Sequence, residues 1–361
     1  MDSFETFPEQ AEAKRLLRAA LTEGHAHAYL LHGPPGVGKG RAATAFAGEL
    51  LGDVERTARG AHPDLYVLEP LGDQIRIDDI RALRRDLHMR PFEAQRRVYV
   101  VLGADTMNED AADALLKDLE EPPPYAVILL VASDLGPLPE TIRSRCQLVP
   151  FRRLSEKAVR EEIAARAPEL TPEEHTALAR VAAGRLDRAM RLLDPPAANR
   201  RKALLEVARS VYLDPAFDPA RAAGTLVDGA AERGAEAREL AEAQMLHLDL
   251  TDREAEQRAR RAQRGAERDE LLAALEELEA WYRDLVVVAA GAESAAIHCD
   301  RLAELSVDGT LERMQGAERA CELVRGTWRA FEEFQLSPGL AFEALFVELR
   351  QELGGPALAT A

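Results

Sequence analysis

Short apolar runs and amphipathic stretches alternate along roughly the first 150 positions, the pattern of a parallel sheet with helical crossovers. The runs Ala28–His32, Leu65–Leu68, Arg97–Leu102 and Ala126–Ala132 predict buried strands. Between them, residues 9–21, Lys39–Leu51, Ile77–Leu87 and 107–120 predict helices. Ile77, Ile80, Leu83 and Leu87 share one helical face. The helix over 107–120 must stop at Pro122-Pro123-Pro124, because proline cannot extend the hydrogen-bond ladder. Beyond about residue 153 the strand pattern fades. Residues 155–193 predict short helices with turn signals at Pro168, Pro172 and Gly184, and Pro195-Pro196 punctuates a boundary. From Asn199 onward the chain reads as helical. Leu271, Leu275, Leu278, Tyr282 and Leu285 form one apolar stripe. Residues 254–270 are almost all charged, Ala or Gln, and predict an exposed helix extension or a partly mobile segment. No repeat of fixed period is evident.

The chain is acidic, with 46 Lys+Arg against 63 Asp+Glu and a net charge of −17. A protein that wraps duplex DNA carries the opposite balance, so any DNA contact is expected to be local or shared with partner subunits. Cys146, Cys299 and Cys321 have no metal-ligand spacing, which predicts a reducing cytoplasm rather than a disulfide framework. Cys146 and Cys321 read as small core fillers. The acidic start Met1-Asp2-Ser3-Phe4-Glu5 lacks the features of a signal peptide. The apolar stretch 285–290 is far too short to cross a membrane.

The segment Gly33-Pro34-Pro35-Gly36-Val37-Gly38-Lys39-Gly40 fits the phosphate-binding loop G-x-x-x-x-G-K-[ST] except at its last position. It follows a predicted strand and opens a predicted helix, as the motif requires. Its backbone N–H groups and the helix N-terminus form an anion nest, and Lys39 is the residue that reaches the β- and γ-phosphates. Gly40 offers no hydroxyl for Mg²⁺. The strand Arg97–Leu102 should run into an acidic pair that holds metal and positions water; it runs into Leu102-Gly103 instead. Asp105 lies past that point. The candidate nucleotide-binding residues are thus Gly33, Gly36, Gly38, Lys39 and Gly40, in a degenerate loop of doubtful occupancy. Ser144-Arg145-Cys146 follows Pro139-Glu140-Thr141-Ile142-Arg143. Two readings of Arg145 stand open on spacing alone: a surface arginine with an ion-pair partner, or a finger aimed at a neighbour's γ-phosphate. The run 258–264 is flanked by acids and reads as a solvated helix face. His25 and His27 have no third ligand nearby.

Several segments in order resemble the delta-prime subunits of bacterial DNA polymerase III clamp loaders, within the AAA+ class. They are His27-Ala28-Tyr29-Leu30-Leu31-His32-Gly33, His62-Pro63-Asp64-Leu65, Ile77-Asp78-Asp79-Ile80-Arg81, Ala114-Leu115-Leu116-Lys117-Asp118-Leu119-Glu120-Glu121-Pro122-Pro123 and Thr141-Ile142-Arg143-Ser144-Arg145-Cys146. The resemblance covers about residues 8–153 and thins beyond them.

It implies an α/β P-loop (AAA+) domain with a parallel sheet over 1–153, a small helical lid over 154–195 and an all-α collar domain over 196–361. It also implies a non-hydrolysing, stator-like subunit that supports ATP-dependent loading of the sliding clamp onto primer-template DNA. Arg145 is then the finger given in trans to the adjacent motor subunit. The implied partners are the gamma/tau and delta subunits, the clamp and DNA through the assembled complex, with no membrane; the implied place is the cytoplasm, at the replisome. Gly40, Leu102 and Gly103 set this chain apart from the gamma/tau motors, which keep Lys-Thr and an Asp-Glu pair. No cofactor is required in this reading and weak ATP or ADP binding stays open. Residues 49–64 hold no cysteine, so the zinc module of some relatives is not expected. In the lid, Asp187 falls where motors carry a nucleotide-sensing arginine, with Arg188 one position away. Ser133-Asp134 marks the remnant of a polar sensor. The alternatives are an active gamma/tau-like ATPase using Asp105 or Glu121 at an unconventional metal site, and a nucleotide sensor that binds without turnover.

Overall fold

The computed structural model describes residues 3–70, 74–245, 251–334 and 336–354. The start at Met1-Asp2 and the predicted helical positions 246–250 and 355–361 lie outside the described residues. The chain divides into two compact units, Met1–Glu162 with Gly184–Arg188, and Ile163–Ala183 with Ala189–Ala361.

The first unit runs α1 (Ala11–Glu23), β1 (Ala28–His32), α2 (Lys39–Leu51), α3 (Val54–Ala58), β2 (Leu65–Leu68), α4 (Ile77–Leu87), β3 (Arg97–Leu102), α5 (Glu109–Glu120), β4 (Ala126–Ala132), α6 (Glu140–Arg143) and β5 (Gln147–Pro150), then enters α7 (Glu156–Arg166). Its five strands form one parallel sheet in the order β2-β3-β4-β1-β5. Parallel strands covered on both faces read as continuous apolar runs, and every residue of β4 is buried. Leu30, Tyr99, Val101, Ile128 and Leu130 share a core with α4, α5 and Ile142 of α6. On the opposite side of the pleat, the Tyr29 ring meets Phe46 of α2 edge-on at 5.0 Å. The predicted strands and the α/β P-loop class are thus present. The fifth strand, β5, is absent from the sequence reading, because it is short, begins with Gln147 and ends with Pro150. Among the described residues it pairs with β1 alone, in a register that sets Tyr29 beside Gln147.

The buried carboxylate of Asp64 fixes the edge of this sheet. It accepts the backbone N–H groups of Phe92 (2.6 Å), Glu93 (3.0 Å) and Ala94 (2.9 Å), with Arg97 beside it. Burial alone would raise its pKa, but those N–H groups and Arg97 outweigh that and hold it below the usual carboxylate value.

The second unit is helical: the end of α7, α8 (Pro172–Val181), part of α9 (Leu186–Leu193), α10 (Pro195–Leu213), α11 (Pro219–Met245), α12 (Asp252–Ala289), α13 (Leu302–Asp308), α14 (Leu311–Glu333) and α15 (Pro338–Glu352). Pro195-Pro196 stands at the boundary between α9 and α10, in the first turn of α10. Proline is tolerated in a first turn, and Asp194 caps it through the Ala197 N–H. The predicted stripe Leu271, Leu275, Leu278, Tyr282 and Leu285 is buried in the core of this unit. A polar chain crosses that core: Trp281 Nε1 donates to the Tyr212 hydroxyl (3.3 Å), which donates to Asp308 (2.9 Å), itself paired with Arg209 (2.8 Å). Buried His298 stands between Asp284 (2.8 Å) and Glu277 (3.1 Å).

The charged stretch 254–270 is helical, within α12. It is tied to α11 and to α9–α10 by Arg238–Glu256 (2.7 Å), Arg200–Glu270 (3.2 Å) and Arg191–Glu270 (2.6 Å). Of its two expected forms, it takes the helix extension.

Replacing Asp64 with Asn removes a buried charged acceptor from three backbone N–H groups and should lower the unfolding free energy by about 2–4 kcal/mol. A depressed carboxyl contributes stability above its unfolded pKa of ~3.9 and loses it as pH falls through the folded value. Urea titrations at neutral pH should therefore separate the variant from wild type, and the gap should narrow in acid below that value. Equal stability at neutral pH would contradict this account of the sheet edge.

Candidate functional site

The phosphate-binding loop leaves the C-terminal end of β1 and opens α2. Gly33 has φ +137° and lies so close to the Phe151 carbonyl that a Cβ would fall 2.2 Å from its oxygen. Only glycine fits there. Lys39 points back into its own loop, buried, with Nζ donating to the carbonyls of Gly33 and Pro34, each at 2.6 Å. Desolvation lowers its pKa to about 8, against the opposing pull of Asp105 and Asp187.

The segment Gly184–Arg188 covers this loop within the same unit. The Leu186 N–H donates to the Gly36 carbonyl at 2.7 Å. The Asp187 carboxylate lies against the Gly36 Cα, where a Cβ would come within 1.7 Å of Oδ1. Arg185 grips that carboxylate with Nη2 at 2.7 Å and Nε at 3.2 Å. Burial opposes the charge on Asp187, but Arg185 and backbone N–H groups hold its pKa below the ordinary value. Of the two residues that the sequence offers at the nucleotide-sensing position, the one on the loop is therefore an acid.

The metal positions are apolar. A Cβ at Gly40 would sit in ordinary contact, 3.7 Å, with Leu102 Cδ2, so the position of the missing hydroxyl and that of the missing acid face each other. Asp105 is engaged elsewhere: its Oδ2 accepts the N–H groups of Ser133 and Asp134, each at 3.0 Å, joining the ends of β3 and β4. Glu121 caps the C-terminus of α5, beside the start of β4, and so lies at the edge of the sheet opposite the loop. It is no candidate for a metal ligand at Lys39.

Arg145 also occupies that opposite edge, just before β5. The five residues of β1 rise about 3.3 Å each, so roughly 13–16 Å of strand separates the two edges, beyond the reach of an arginine side chain. Arg145 therefore cannot serve its own loop. Its Nη2 is ion-paired with Glu120 and its Nη1 donates to the Thr141 carbonyl at 2.8 Å. The ion-pair partner that the sequence left open is thus Glu120, 25 positions away, within the quoted Leu-Glu-Glu-Pro-Pro segment. No periodicity links the two; only the fold does. Cys146, beside it, is partly buried, and burial pushes its thiol up to about 12; buried Cys321 is pushed to about 11. Neither is poised as a nucleophile.

The sequence family described as "DNA polymerase III, delta subunit" matches residues 9–155. The chain is 34% identical over 149 residues to DNA polymerase III subunit delta' of Bacillus subtilis, covering 38% of this chain and 45% of that protein. It is 40% identical over 137 residues to the subunit of the same name in Pseudomonas aeruginosa, covering 34% and 42%. It is also 30% identical over 159 residues to DNA polymerase III subunit tau of Bacillus subtilis, covering 40% and 28%. The matches thus span less than half the length of these curated relatives. The resemblance to delta-prime clamp-loader subunits holds over the first unit. Among the described residues no helix is long and apolar enough to cross a membrane.

Methyl-labelled Lys39, followed by NMR, should titrate near pH 8 rather than near the ordinary 10.5. In Asp187→Ala the midpoint should fall further, because a nearby anion is lost and Arg185 remains. A midpoint near 10.5 in wild type would show that the amine is solvated and not folded into the loop.

Proposed function

We propose that this chain is a non-hydrolysing, stator-like subunit of a replicative clamp loader, an accessory component of a DNA polymerase holoenzyme. The observation that carries the reading is the state of the phosphate loop. Lys39 is satisfied by carbonyls of its own loop, an acid rests on Gly36, and Gly40 faces Leu102 where a metal would sit. Hydrolysis needs a metal to bridge the phosphates and a group to position water, and neither is provided here. The similarity to delta-prime subunits supports the coarser part of this reading, a subunit of the DNA polymerase III clamp loader.

In this reading residues 154–195 act as the lid and 196–361 as the collar that assembles the complex with gamma/tau and delta subunits in the cytoplasm. No cofactor or zinc is required, and ATP or ADP binds weakly if at all. Arg145 is offered in trans to the motor's γ-phosphate. The sliding clamp and primer-template DNA are engaged through the assembled complex. The acidic charge of the chain favours contacts to phosphates by backbone N–H groups over a basic groove.

A second reading, an active gamma/tau-like ATPase, is favoured by the retention of Lys39 and by the similarity to tau. It requires a metal ligand near Lys39; of Asp105, the nearest acid after β3, one oxygen, Oδ2, is already taken by two N–H groups.

ATP turnover of the reconstituted loader with clamp and primed DNA separates the two. The isolated chain should be silent, and Arg145→Ala should slow the adjacent site by roughly 10³-fold, the scale of a lost arginine finger. Turnover by the isolated chain, or an unchanged complex carrying Arg145→Ala, would overturn the stator reading.

A further inference from the structure

We infer that Glu120 is the positioning residue of Arg145: it latches the guanidinium onto its own chain until a phosphate of the adjacent subunit's nucleotide displaces it. The inference rests on the reading of Arg145 as a trans finger.

Both terminal nitrogens of Arg145 are occupied within the chain, Nη2 by Glu120 and Nη1 by the Thr141 carbonyl, with the Ser144 hydroxyl 3.5 Å away. A guanidinium recognises phosphate through the same N–H fork. Glu120 and the Thr141 carbonyl therefore compete with an incoming phosphate for the donors of that fork.

The two partners are held by different elements. Glu120 ends α5, which is anchored by Leu115 and Leu119 in the core, by Asp118 to Arg84 at 2.5 Å, and by the Leu119 carbonyl to the His27 ring at 3.0 Å. Arg145 follows α6, anchored by Ile142. Neither backbone need move for the side chains to part. The pair lies at the surface, with the Arg145 side chain 33% and that of Glu120 49% exposed, so an incoming anion can reach it. Exposed pairs hold weakly, which suits a latch that a multiply charged phosphate can open.

A latch acts on the availability of the finger, equally before and during the reaction. Its removal is expected to change KM and leave kcat alone. Glu120→Gln keeps shape and removes charge at an exposed position, so folding is preserved. In the reconstituted loader assayed without clamp or DNA, Glu120→Gln should lower the KM for ATP and raise turnover at subsaturating ATP by about two- to fivefold, the range a surface pair supplies. The kcat should be unchanged, and the double variant Glu120→Gln/Arg145→Ala should behave as Arg145→Ala alone. An unchanged KM, a fall in kcat, or a gain that persists without Arg145 would overturn the latch. If Arg145→Ala alone leaves turnover unchanged, the failure lies in the finger reading, and the latch falls with it.

Discussion

A parallel sheet has two unlike edges, and everything proposed for this chain depends on that constraint. The C-terminal edge of β1 carries the phosphate loop, while the N-terminal edge of its neighbour β5 receives Arg145. Five residues of strand keep them apart. Nucleotide chemistry at one edge and an arginine at the other cannot cooperate within one molecule. They can cooperate between molecules, if the arginine edge of one chain meets the loop edge of another. In the proposed reading this chain keeps the arginine role and has lost the nucleotide chemistry.

The loss is chemical rather than architectural. The glycines still bend the loop, with Gly33 pressed on the Phe151 carbonyl and Gly36 under Asp187. The loop's cation is solvated within the chain by two carbonyls, and an anion already lies beside it. A loop of this kind keeps its shape because the sheet, α2 and the Gly184–Arg188 segment all pack against it, whether or not a nucleotide arrives. Retaining the fold with Gly40 in place of a hydroxyl residue and Leu102 in place of an acid is what a structural role permits.

Much of this was legible in the sequence. The strands of the sheet interior are apolar throughout, so their pattern is plain. The phosphate loop declares itself by spacing, and so does the absence of its metal ligands. The edge strand β5 was not legible, because an edge strand needs fewer apolar positions and this one contains Gln147 and Pro150. Pro195-Pro196 reads as a boundary and stands at one, the start of α10, since a first turn has no use for the N–H groups that proline lacks. Two pairings were invisible in principle. The contact of Asp187 with Gly36 and that of Glu120 with Arg145 join distant segments through tertiary structure, and no local rule encodes them. The stretch 254–270 was ambiguous because Glu256 and Glu270 meet their partners on α11, α9 and α10 only once those helices lie alongside.

The most direct test of the central claim is equilibrium binding of ATP to the isolated chain, measured by calorimetry with and without Mg²⁺. A loop whose lysine is internally satisfied and whose metal positions are Gly40 and Leu102 should bind weakly, with the same affinity in both conditions. Tight binding that depends on Mg²⁺ would contradict the account, because it would require a metal site that the residues around this loop do not provide.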